Sequence, residues 1–108
     1  MQFFSQGRIW NTGDSELVAT SNWRECHVDT VPDWQRNHYY RTKDGKYFCV
    51  TEVKEEPGFF ASLFGAQPRI EFRWEVLKDA EALGWRLQSD LGATPGTTTL
   101  IRNLGLAA

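Results

Sequence analysis

The strictest alternation in the chain is "RIEFRWEV", where Ile70, Phe72, Trp74 and Val76 occupy one set of positions and Glu71, Arg73 and Glu75 the other. Successive side chains of a strand point to opposite faces, so the segment predicts a strand with one buried and one wet face, as antiparallel sheets have. It runs into "LKDAEALGWRLQSDLG", where Leu77, Ala80, Gly84, Leu87 and Leu91 recur at alternating steps of three and four. That period predicts an amphipathic helix from about Asp79 to Gln88, ending near Gly92.

"HYYRTKDGKYFCVTEVK" predicts a hairpin, because Asp44-Gly45 is a favoured two-residue turn. With those two residues at the tip, Lys43 faces Lys46, Thr42 faces Tyr47, Arg41 faces Phe48 and Tyr40 faces Cys49. One face then carries His38, Tyr40, Thr42, Tyr47, Cys49 and Thr51, and the other Tyr39, Arg41, Lys43, Lys46, Phe48 and Val50. Upstream, "QFFSQGRIWNTGDSELVATSNW" reads as two strands around a turn at Asn11 to Asp14. "RECHVDTVPDWQRN" has no period and reads as loop, with one short helical turn opened by Pro32 and Asp33 and carrying Trp34. After Pro95-Gly96, the β-branched run "TTTLIRNL" reads as a last strand. Together these elements predict an α+β fold: a small, mostly antiparallel sheet of about four to five strands, with one main helix in the C-terminal half. At 108 residues the chain, 1–108, is the size of a single globular domain.

Composition narrows the function classes. Twelve Lys and Arg stand against 14 Asp and Glu, for a net charge of −2. A nucleic-acid binder draws its affinity from a basic excess, so this balance weighs against that class. No apolar run approaches the ~20 residues of a membrane span, and the first residues do not form a charged-then-apolar leader, so a cytoplasmic protein with no membrane association is expected. Two cysteines are too few for a secreted disulfide scaffold. Aromatics are abundant at 14%, which serves both a small core and a binding surface.

The residues Tyr40, Arg41, Lys43, Gly45, Tyr47 and Phe48, followed by Glu81, Ala82 and Trp85, spell an aromatic-Arg-x-Lys-x-Gly-x-Tyr-Phe hairpin and a Glu-Ala-x-x-Trp helix. Over residues 38–89 this pattern resembles a family of small uncharacterised bacterial and mobile-element proteins. The resemblance implies an α+β fold and a phage or plasmid context, and it carries no activity. The chain departs from the pattern in the stretch "PGFFASLFGAQP".

Chemistry-bearing clusters are sparse. Cys26, His27, His38 and Cys49 make a four-ligand count, but lack the short paired spacing that lets two zinc ligands converge from one turn; no metal and no cofactor are expected. On the expected register His38 and Cys49 share a face, which leaves a partial site conceivable. Cys26, His27 and Asp29 are neighbours in sequence, an arrangement that rarely forms a nucleophile relay. Glu55-Glu56 and Glu71/Glu75 read as solvated surface. No nucleophile elbow, phosphate loop or zinc-protease motif occurs, so the expectation is that the protein is not an enzyme.

The stretch "PGFFASLFGAQP" concentrates apolar residues between turn-forming prolines and glycines. Either Phe60, Leu63 and Phe64 tuck under the sheet, or the segment is an exposed loop that docks on a partner. The sequence favours the core for Phe60 and Phe64 and an interface for Phe59. The leading expectation is a protein-binding module, with Phe59, Phe60, Phe64, Trp34, Glu55 and Glu56 as its contact residues. An inhibitor encoded by a phage or plasmid, of the anti-CRISPR or anti-restriction kind, fits that size and charge. Two alternatives stand beside it. A nucleic-acid accessory domain would use Tyr39, Arg41, Lys43 and Lys46. A self-associating structural domain would form a homodimer.

Overall fold

The computed structural model describes residues 1–28 and 31–105; for residues 27, 28, 31 and 32 the backbone alone is described. Seven strands and three helices follow in the order β1 (Gln2–Ser5), β2 (Arg8–Asn11), β3 (Glu16–Thr20), β4 (Arg24–Val28), β5 (Val31–Arg41), β6 (Tyr47–Glu55), α1 (Phe59–Leu63), β7 (Arg69–Leu77), α2 (Ala80–Leu91) and α3 (Pro95–Asn103). The fold is α+β, as the sequence predicts. An antiparallel sheet runs β3-β5-β6-β7, with β4 paired to β5 beyond β3, and β1 and β2 form a separate two-stranded ribbon.

Strand β6 lies between β5 and β7, and its alternate residues anchor two cores on opposite faces of the sheet. On one face Tyr39, Cys49 and Leu77 pack against Leu83 and Leu87 of α2 and Ile101 of α3. On the other, Phe48 and Val50 meet Trp10 of the ribbon, with Phe3, Tyr40, Trp74 and Val76 around them. Rings dominate this second core: Phe3 lies 4.3 Å from Trp74, and Tyr40 stacks on Phe48 at 5.0 Å between centroids. Each buried ring removes a large apolar area from water, which is how so short a chain closes two cores.

Capping chemistry sets the helices. The Asp79 side chain accepts from the Ala82 amide, and α2 stops at Gly92, whose φ of 81° suits glycine. The Thr94 side chain accepts from the Thr97 amide and Pro95 occupies the first turn, so the expected last strand is instead α3. Local cap chemistry outweighs β-propensity there.

Two other expectations are corrected, the hairpin register and the segment read as loop. The tip of the β5–β6 hairpin is a three-residue loop: the Gly45 amide donates to the Thr42 carbonyl, and Thr42 closes onto Lys46. Gly45 takes the left-handed conformation such a loop requires. The register shifts by one residue, pairing Arg41 with Tyr47, Tyr40 with Phe48 and Tyr39 with Cys49. His38 therefore sits opposite Val50, on the face away from Cys49. In the N-terminal segment the expected turn is present, Thr12–Asp14 capped by Asn11 between β2 and β3; a further turn at Gln6-Gly7, with both φ values positive, pairs β2 with β1, while β3 pairs with β5. The segment read as loop, with a helical turn at Trp34, is β4 followed by the first part of β5.

The molecule is elongated, 50 × 35 × 20 Å, with a radius of gyration of 16.2 Å. A domain of ~100 residues normally has about 13 Å. The extra length leaves apolar side chains outside both cores.

Candidate interaction site

Between β6 and β7 the chain leaves the sheet and returns. Gly58 precedes the single short helix α1, and Gly65 ends it with φ 82°. The Ala66 amide donates to the Ala61 carbonyl and the Gly65 amide to that of Ser62, the paired bonds of a glycine-terminated helix stop. The backbone is thus locally satisfied while the side chains are not covered. Phe60 is 75% exposed and Phe64 89%, and Phe59 and Leu63 are also largely in water. The rings of Phe59 and Phe60 meet edge to face at 5.5 Å. The expectation that Phe60 and Phe64 enter the core is overturned; the arm reaches past the ends of β6 and β7, away from both cores.

The root of the arm continues the apolar surface. Lys54 pairs with Trp34 on one side and Ile70 on the other, so those three share one sheet face. Trp34 is half-buried and Ile70 is 55% exposed. Beside Ile70, Phe72 is exposed as well. The alternation of β7 is thus real, but only its C-terminal half, Trp74 and Val76, is covered, because the ribbon extends no further along the sheet. Acidic groups rim the root: Glu56 lies 3.4 Å from Lys54, and Glu55 lies between Asp33 and Arg69 across the strands. Of the six residues expected to bind a partner, the structure gathers Phe59, Phe60 and Phe64 on the arm, and Trp34, Glu55 and Glu56 at or near its root. Leu63, Ile70 and Phe72 belong to the same apolar surface. The period-two pattern assigned the last two to a buried face, since periodicity carries no information on whether anything covers that face.

The basic hairpin is differently placed. Tyr39 is fully buried, and its hydroxyl donates to Asp90 of α2. Burial first, then that bond, raise its pKa far above the ordinary value. Its ring is therefore not open to a stacked base. Arg41 donates to Glu16 at 2.6 Å. At the hairpin tip, Arg8 grips Asp44 with two hydrogen bonds and holds its carboxyl well below the usual range. Lys43 and Lys46 are exposed.

On the ribbon face, Glu52 accepts from Arg36 at 2.7 Å and lies 3.0 Å from the His38 ring, whose other nitrogen is 3.1 Å from Thr20. Burial alone would raise Glu52, but these partners hold it below its ordinary value. Arg36 also lies over the Trp23 ring at 4.4 Å. Cys49 is buried, and desolvation pushes its thiol up to about 11. The side chain of His27, and Asp29 altogether, lie outside the described residues. Among the described residues, no three His, Cys, Asp or Glu side chains gather to hold a metal, and no helix is long and apolar enough to cross a membrane. Two open concavities, of 190 and 350 Å³, flank Trp10, and neither is lined by a histidine or cysteine. The chain matches no family model, no curated protein and no solved structure.

Proposed function

We propose that the protein is a non-enzymatic protein-binding module that docks through the Phe59–Phe64 arm. One observation carries this reading: four large apolar side chains, Phe59, Phe60, Leu63 and Phe64, stand in water on and beside a five-residue helix. So short a helix is marginal alone, and contiguous exposed apolar surface of this kind marks an interaction site. The aromatic anchors supply binding energy by filling pockets on a partner, while Glu55 and Glu56 favour a basic rim around those pockets. Chain size, a net charge of −2 and the resemblance to mobile-element proteins support an inhibitor that acts by occlusion.

The test is affinity capture from a bacterial lysate with the wild-type chain and a Phe60→Ser/Phe64→Ser variant, alongside their thermal midpoints. A protein captured stoichiometrically by the wild type and lost by an equally stable variant supports the reading. Equal capture by both overturns it.

A further inference from the structure

Strand β7 is the outer strand of the main sheet: among the described residues, β6 is its only strand partner. It pairs with β6 over nine consecutive positions without a register shift. An edge of this length turns every second amide and carbonyl outward, a template for another strand. We infer that β7 is a homodimer interface, pairing antiparallel with β7 of a second copy about a two-fold axis through Phe72. This edge adjoins the arm, since Ile70 and Phe72 also border the arm's apolar surface, but the strand pairing does not depend on the arm's function.

The register follows from the order of charges. An antiparallel pair related by a two-fold axis normal to the sheet places residues of like parity opposite one another. With the axis at Phe72, Glu71 faces Arg73 of the other copy and Arg69 faces Glu75, each twice. Four opposite-charge pairs line one face. On the other, Ile70 faces Trp74 twice and Phe72 faces its own counterpart, covering two side chains that the single copy leaves exposed. Moving the axis one residue either way reverses the electrostatics. At Glu71 that residue meets itself and Arg69 meets Arg73; at Arg73 that residue meets itself and Glu71 meets Glu75. Axes at Ile70 or Trp74 restore complementarity with two charge pairs instead of four. Opposed like charges destabilise strand pairing and opposite charges stabilise it, so the Phe72 register is selected.

Within one copy Arg73 approaches Glu71 at 3.8 Å, and Glu75 takes Arg86 at 2.7 Å. Exposed pairs like these hold weakly and can share a cross-strand partner. Helix α2 lies near the Leu77 end of the strand. The two-fold places the two Leu77 ends about 33 Å apart, so the helices do not collide. The dimer joins the two sheets into one continuous sheet.

The experiment is solution mass by sedimentation at several concentrations, for wild type, Glu71→Arg, Arg73→Glu and an equimolar mixture of the two variants. The wild type is expected to be a dimer. Each variant alone sets like charges opposite twice and weakens the dimer by about tenfold or more. The mixture restores every pair, because a chain with arginine at both positions then faces a chain with glutamate at both, and heterodimer mass returns. A second readout uses Phe72→Cys in a Cys26→Ser background. Position 72 lies opposite itself, within the 4.4–6.8 Å Cα range of a disulfide, and cross-links on oxidation. Ile70→Cys, about 13 Å from its counterpart, does not. A monomeric wild type, a dimer indifferent to the charge variants, a mixture that stays monomeric, or a cross-link at 70 in place of 72 would each overturn the inference.

Discussion

The Tyr39 hydroxyl donates to the Asp90 carboxylate, tying the middle of the sheet to the last turn of α2. Asp90 also accepts from Asn37 at 2.7 Å and Arg24 at 3.3 Å, so one nearly buried carboxylate gathers donors from β4, β5 and the core. Removing it strands the Tyr39 hydroxyl and the Asn37 amide. Asp90→Ala should therefore cost about 2–4 kcal/mol, and Tyr39→Phe, which deletes one donor and keeps the ring, about 1 kcal/mol. Urea unfolding of both variants checks the order; a costlier Tyr39→Phe would remove Asp90 from the centre of the network.

Arm and core should separate cleanly on substitution. Phe64→Ser removes a ring already in water and should change stability by less than about 0.5 kcal/mol. Phe48→Ala opens a cavity beneath the ribbon, among Trp10, Tyr40 and Trp74, and should cost about 3–5 kcal/mol. Thermal melts of the two variants give the comparison, and a large loss for Phe64→Ser would show that the arm packs on the sheet.

Acid should loosen the molecule from a definite side. Asp44 and Glu52 are both held below their ordinary values, Asp44 chiefly by Arg8 and Glu52 by Arg36 and His38 against the effect of burial. A carboxylate with a lowered folded pKa binds its proton more weakly folded than unfolded. Its stabilisation is complete above the ordinary value, 3.8 for Asp44 and 4.5 for Glu52, and is lost as pH falls below it. Urea midpoints at pH 7, 5 and 3 should thus fall mainly between the last two. Asp44→Asn and Glu52→Gln should each flatten that fall, and parallel curves would refute the assignment.

The two thiols should differ in reactivity. Cys49 is buried and its thiol is raised to about 11, so almost no thiolate exists at neutral pH, whereas Cys26 is partly exposed. An alkylating reagent at pH 7.5 should label one cysteine per native chain, mapped to Cys26, and both in denaturant. Rapid native labelling of Cys49 would mean the α2 side of the sheet opens readily.

Where several local signals agree, the fold was legible in the residues. Asp79, the three-and-four spacing and Gly92 all mark one helix, and α2 occupies Ala80–Leu91. Where signals compete, the residue pattern misled. Thr97, Thr98 and Thr99 favour a strand, but Thr94-Pro95 nucleates a helix ahead of them. Asp44-Gly45 suits both a two- and a three-residue loop, and the difference moves every side chain of one strand to the other face. The Gln6-Gly7 turn was missed because glutamine is not a residue that signals positive φ. For the candidate site, the apolar character of Phe59, Phe60 and Phe64 was plain, but their exposure was not. Exposure depends on how far the ribbon and helices reach along the sheet, which no local pattern encodes.

The two-faced sheet also orders events during synthesis. Trp10 and Phe3 emerge first, yet the surface they cover is built from Tyr40, Phe48, Val50, Trp74 and Val76, some 30 to 70 residues later in the chain. The opposite core waits longer still, for Ile101 of α3. A nascent chain therefore carries an unburied aromatic ribbon until β7 has emerged, and the opposite core closes only after α3 has followed.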